Sequence, residues 1–261
     1  MLAPYIGIVD FATFKQVKNM LDIFKSHLPR GSNRKLHVGL MMSYKTLNNI
    51  PSKWLGVFPP KETIADIFSS DETYNCLHYA DYDNNPDLWK SLAQAISYGG
   101  VGIQALQLDM IWPDPNQIAN GVHASRKQIE VILQIGKNAL AEVNDDPQAV
   151  VEKLRDYEGV IHRILLDKSM GRGIGMDANV LLPFARAIKE SLPSLGLGAA
   201  GGLGPGTVDR IRPLLEETLD ISFDAQGRLR PSGNALDPID WNYAGNYLIE
   251  SLNLVSALSK D

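Results

Sequence analysis

Short β-branched or aliphatic runs alternate along the chain with stretches of helical period, which is the signature of successive βα units on a parallel sheet. Eight runs stand out, at residues 5–9, 36–42, 74–79, 103–109, 129–135, 161–166, 196–200 and 219–223. Shared among eight units, 261 residues give about 33 each, close to the roughly 31 of a barrel of about 250 residues. The pattern predicts the α/β class and, within it, a closed parallel (βα)8 TIM barrel. No low-complexity stretch or linker divides the chain. The Gly-rich segment 196–206 is too short and too apolar for a flexible tether, so a single domain over 1–261 is expected.

Between the runs the apolar residues follow a 3.6-residue period. Val17, Met20, Leu21, Phe24 and Leu28 share one helical face, as do Leu88, Leu92, Ala95 and Ile96, and later Leu181, Leu182, Ala185 and Ile188. A last helix, carrying Tyr243, Tyr247, Leu248, Leu252 and Leu254, starts near Asp237 or Asp240, either of which suits an N-cap. Two segments read less simply. Residues 43–60 form a long second βα loop with Tyr44, Trp54 and Phe58, a length that belongs to lids and binding loops. Residues 125–140 fit one helix as well as a strand followed by a helix.

Composition narrows the class of partner. Lys and Arg number 25 against 30 Asp and Glu, a net charge of −5 without a basic block, which argues against nucleic acid and an anionic membrane as partners. A single cysteine, Cys76, leaves no internal disulfide and no cysteine-built finger, and no stretch is long enough to span a bilayer. A cytoplasmic protein acting on a small molecule is expected. A homodimer stays open.

In a (βα)8 barrel, chemistry is built where strands end and their loops begin. Four runs lead into aspartate: Asp10, Asp81 with Asp83, Asp109 and Asp167; Lys45 and Lys137 follow two others. Aspartates there also cap helices, and Asp114 and Asp177, nearer to predicted helix starts, are better placed for that. Crowded carboxylates beside ammonium groups suit proton transfer on a polar substrate. Lys45, Asp81 and Lys137 are assigned to substrate binding. His27, His37, His78, His123 and His162 are scattered, so no cofactor and no metal are expected, although two aspartates holding Mg2+ remain an option; His78 is placed to face the barrel interior. No serine or cysteine nucleophile stands with a base. Two Gly-rich loops, 171–175 and 201–206, follow the sixth and seventh runs, where glycine-bared amides bind anions such as phosphate. The spacing does not match a dinucleotide fingerprint.

The residues Leu165-Leu166-Asp167-Lys168-Ser169-Met170-Gly171-Arg172-Gly173 and Ala200-Gly201-Gly202-Leu203-Gly204-Pro205 resemble the sixth and seventh strand motifs of phosphoribosylanthranilate isomerase, a phosphate-binding (βα)8 barrel. Leu219-Asp220-Ile221-Ser222 is similar to the start of its eighth-strand motif and Leu106-Gln107-Leu108 to its fourth. The resemblance implies an aldose to ketose isomerisation of Amadori type with Asp167 as general acid. It implies a phosphorylated or anionic sugar-type ligand on Gly171, Gly173, Gly202 and Gly204, with Ser222 nearby. Two departures matter. The family's catalytic cysteine near the N-terminus falls on Val9 in Ile8-Val9-Asp10, so the base is expected from Asp10 or, failing that, Asp109. Phe223 and Asp224 stand where a serine and a glycine meet the phosphate, and a carboxylate there repels an anion unless Arg228 and Arg230 fold back. Two other readings compete: a lyase using Lys137 or Lys168 as an amine nucleophile or electrostatic catalyst, and a barrel that binds without chemistry.

Overall fold

A computed structural model describes residues 2–83, 85–167, 175 and 177–259. The chain runs β1 (Tyr5–Val9), α1 (Phe14–His27), β2 (Lys35–Ser43), α2 (Tyr44–Leu47), α3 (Ile64–Ile67), β3 (Tyr74–Ala80), α4 (Leu88–Tyr98), β4 (Ala105–Asp109) and α5 (Pro115–Ser125). It continues through β5 (Glu130–Gly136), α6 (Lys137–Glu142), α7 (Pro147–Arg155), β6 (Arg163–Asp167), α8 (Ala178–Ser191), β7 (Gly196–Ala200), α9 (Arg212–Glu217), β8 (Ser222–Ala225) and α10 (Trp241–Leu258). Every strand pairs in parallel with its sequence neighbours, and β8 returns to β1, closing a (βα)8 barrel as the spacing of runs predicts. The ambiguous segment 125–140 resolves into the end of α5, then β5, then the start of α6.

Side chains alternate across a strand, so each strand serves two cores. Outward residues such as Ile6, Ile8, Leu36, Val38 and Leu77 pack with the helical faces of Val17, Met20, Phe24, Leu92 and Leu248 in one continuous layer. Inward residues form a separate, smaller cluster: Tyr5, Tyr74, Cys76, Ala105, Ile132, Leu165 and Ala200. Helix starts follow local rules. Thr13 and Gln16 make a reciprocal capping box at α1, and Asp114, Asp146, Asp177 and Asp240 cap α5, α7, α8 and α10 through their side chains. Asp240 rather than Asp237 therefore starts the last helix, and the capping role read for Asp114 and Asp177 is the one they have.

Four strands begin later than their apolar runs. The largest difference is in β8, predicted over 219–223 and found at Ser222–Ala225, with Leu219 partly exposed before it. An apolar run underestimates this strand because its inward positions are Ser222 and Asp224, both buried and polar. The strand is also the shortest. It pairs with β1 only from Ile6↔Phe223 to Ile8↔Ala225, whereas β2 and β3 pair from His37↔Tyr74 to Ser43↔Ala80. Side chains supplement that seam: the Tyr5 amide donates to Ser222 Oγ at 3.1 Å, and the Arg34 guanidinium donates to the carbonyls of Ile221, at 2.9 Å, and of Leu219.

Candidate functional site

The floor of the barrel is a buried polar layer. Arg163 on β6 pairs with Glu130 on β5 at 2.7 Å, Tyr74 donates to the same carboxylate at 2.6 Å, and Arg163 Nη2 donates to the Ala3 carbonyl at 2.9 Å. Ser222 belongs here, fully buried between the Tyr5 amide and Arg163. Its expected place at a ligand is therefore corrected: the later start of β8 sets Ser222 at the bottom of the strand, and Asp224 and Gln226 reach the cavity in its stead.

At the opposite end the strands open on a cavity of about 340 Å³. Asp81, Asp83, Asp109, Asp167, Lys45 and Lys137 line it, so six of the sequence-derived acidic and basic positions share one space, and Asp224 joins them. Trp54 and Phe58 also line it from the long segment after α2, their rings stacked 5.1 Å apart. Asp109, at the end of β4, accepts from the Tyr82 hydroxyl at 2.5 Å. Burial pushes the Asp109 carboxyl above its usual range, and the charge of Asp167 pushes the same way. Asp167, at the end of β6, accepts from Gln134 Nε2 at 3.4 Å, and Gln134 in turn accepts from Gln107 at 3.0 Å. Asp224 is fully desolvated and sits beside the Asp167 charge, which together push its carboxyl up to about 8. Asp81 accepts the Asp83 amide at 3.1 Å on one oxygen, and burial raises its carboxyl too.

The remaining expected residues sit differently. Asp10 follows β1 in a left-handed conformation, φ 76°, and its side chain turns to Arg230 at 2.6 Å and Gln226 at 3.0 Å rather than to the cavity. Arg230 also donates to the carbonyls of Asp237, at 2.6 Å, and Gln226, at 3.1 Å, so it ties the loop after β8 back to the end of β1. Lys45 and Lys137 are exposed, and Lys45 pairs with Asp83 at 3.4 Å. Gly202 and Gly204 do not line the cavity; Gly204 packs against Arg228, whose buried Nε has no hydrogen-bond partner among the described residues. Gly171, Gly173 and Lys168 lie outside the described residues.

Sequence reasoning missed Tyr82, Gln107, Gln134 and the inward turn of Asp224. Three of these are inward positions on strands, so strict alternation counted back from Asp109 and from Gly136 would have reached Gln107 and Gln134. No residue pattern announced Tyr82.

No family model and no curated protein sequence matches the chain. Among solved structures, the chain is similar to tryptophan synthase subunit alpha from Legionella pneumophila strain Paris, with 11% identity, a TM-score of 0.59, and coverage of 98% of this chain and 93% of that one. It is similar to the tryptophan synthase alpha chain from L. pneumophila subsp. pneumophila at 11% identity, TM-score 0.57, covering 99% and 94%. A third, 3-hexulose-6-phosphate synthase, has 11% identity and a TM-score of 0.54, covering 98% and 99%. At such identities the likeness is one of fold: nearly the whole chain follows the course of a (βα)8 barrel.

Proposed function

We propose that the cavity is the active site of an enzyme that moves protons on a small anionic sugar-type molecule, an aldose–ketose isomerisation. The observation that carries this reading is that Asp109 and Asp167 line one cavity, with Asp109 driven toward its protonated form by its own burial and by the charge of Asp167. The donor role that the family resemblance gives to Asp167 then fits Asp109 better. Asp167 removes the proton from the carbon beside the substrate carbonyl while Asp109 protonates the carbonyl oxygen, giving an enediol. Return of that proton to the neighbouring carbon, with loss of the other hydroxyl proton to Asp109, yields the ketose. Gln107 and Gln134 offer amides to substrate hydroxyls at the same level. The cavity volume is within the roughly 300–1,000 Å³ usual for small-molecule sites.

The anionic group is assigned to the loops after β7 and β8, where Gly204 packs on the Cβ and backbone of Arg228, whose buried Nε has no hydrogen-bond partner among the described residues. The sugar phosphate in the name of 3-hexulose-6-phosphate synthase supports the substrate class. For the amine-nucleophile reading, Lys137 is exposed whereas a Schiff-base lysine needs desolvation, and Lys168 lies outside the described residues.

The test is proton exchange. In D2O, aldose phosphates from a panel should gain deuterium beside the carbonyl, and Asp109→Asn and Asp167→Asn should each slow that exchange by about 100- to 10,000-fold. Inorganic phosphate should raise the melting temperature of the wild type and not of Arg228→Gln. Exchange undiminished in both aspartate variants would overturn the assignment.

A further inference from the structure

We propose that His37, Cys76 and His78 form a metal site directly beneath the cavity, binding one zinc-class dication and leaving its fourth position open toward the substrate. The three residues are separated in sequence yet gathered by strand register. Cys76 and His78 are two apart on β3 and share its inward face, while His37 lies on the neighbouring strand β2, where Gly39 pairs with Cys76. All three are buried, and their ligand atoms lie within 4.8 Å of one another. The two Nε2 atoms are 2.9 Å apart. Tetrahedral bonds of about 2.0–2.1 Å set nitrogens roughly 3.3 Å apart, so the imidazoles need to open by only a few tenths of an ångström.

Two glycines clear the space. A Cβ on Gly39 would stand 2.9 Å from His78 Nε2 and 3.2 Å from His37 Nε2, so both rings converge over a position that has no side chain. A Cβ on Gly7 would stand 2.6 Å from Asp224 Cβ and 3.2 Å from His37 Cγ, so Asp224 and His37 meet across a second such gap. Asp224 Oδ2 and His37 Nδ1 are both buried without a hydrogen-bond partner among the described residues. A carboxylate accepting the second N–H of a metal-bound imidazole is the usual supporting contact, and Asp224 is placed to become it. Its charge also compensates a dication bound to one thiolate. Arg163 is the opposing cation beneath the cluster, and Glu130 holds it in an ion pair at 2.7 Å. One thiolate with two imidazoles favours zinc over magnesium or calcium, which prefer oxygen. His78 and Asp224 both line the cavity, which gives the ion its route in.

This inference is independent of the proton-transfer reading, because its test reads the metal alone. Metal-stripped full-length protein would be titrated with Co2+ and, separately, dialysed against Zn2+ with metal counted by mass spectrometry. One equivalent should bind, Co2+ giving a thiolate charge-transfer band and the visible bands of a tetrahedral ion. Cys76→Ser should lose the charge-transfer band, and His78→Gln should weaken binding by more than the roughly 10- to 100-fold typical of losing an outer-sphere partner. His123→Gln, on the exposed face of α5, should change nothing. Wild-type protein with no charge-transfer band at one equivalent of Co2+ overturns the site, as does binding indifferent to Cys76→Ser. The wild-type band decides the matter if circular dichroism shows that a variant does not fold.

Discussion

Asp10 separates a catalytic from an architectural role most sharply. Its pair with Arg230 is almost dry, the arginine side chain 3% exposed and the aspartate 12%. Asp10→Asn removes the negative charge and leaves a buried guanidinium with two carbonyls, those of Asp237 and Gln226. Breaking one side of a buried pair costs about 3–5 kcal/mol, and the surviving carbonyl bonds place this case near the lower figure, about 3 kcal/mol. At roughly 2–4 °C per kcal/mol for a chain of this size, the melting temperature should fall by about 6–12 °C. The loop after β8 should loosen with it. Thermal and urea unfolding give the stability, and deuterium exchange into an aldose phosphate, measured well below the transition, gives the turnover of the folded molecules. The double variant Asp10→Asn/Arg230→Met should recover part of the loss, because an apolar replacement leaves no charge stranded. An Asp10→Asn protein that melts within about 2 °C of wild type but exchanges about 100-fold more slowly would refute this account and make Asp10 the base.

Asp109 has a raised carboxyl in the folded chain, so its contribution to stability is complete below the ordinary value of 3.8 and is lost as pH climbs through the raised one. Asp109→Asn removes that loss, and the variant's melting temperature relative to wild type should increase as pH rises above 3.8; a difference independent of pH would contradict the burial argument. Gly39→Ala places a methyl 2.9 Å from His78 and 3.1 Å from Val9, and should cost about 1–3 kcal/mol of overpacking in chemical denaturation. Gly136→Ala, whose nearest neighbour is the Asp167 carbonyl at 3.6 Å, should be close to neutral, and equal effects in the two would show that crowding is not the cause.

The barrel was legible because its outward core is continuous: seven strands carry Val, Ile or Leu on the helix-facing side and β8 carries Phe223 and Ala225, and eight such runs at even spacing admit few architectures. The acidic ring was legible as well, since Asp81, Asp109 and Asp167 stand at strand ends. Asp10 was placed correctly at its strand end, but its partner was not, because Arg230 is distant in sequence and reaches back through a turn that no local pattern specifies. The inward faces were the least readable part. Runs of apolar residues mark strands buried on both sides, whereas here the interior carries His37, Gly39, Gln107, Gln134, Ser222 and Asp224, and β8 in consequence was displaced by three residues at its start. The histidines looked scattered for the same reason, since strand register brings His37 to His78 across two strands and no spacing along one strand reveals it.

The brevity of β8 sets where the barrel can come apart. A ring of strands opens at its least-anchored member, and this one is held by a short ladder on each side, together with the clips from Tyr5 and Arg34. It also carries Asp224 and leads directly into Gln226 and Gly227, all of which line the cavity. Whatever settles there grips the final stave of the barrel, so occupancy and closure are linked: a bound molecule suppresses the excursions in which β8 lifts from β1, and those excursions lower affinity in the same measure. Hydrogen exchange at Phe223 and Ala225 thereby becomes a gauge of loading at a site that neither of those two amides touches.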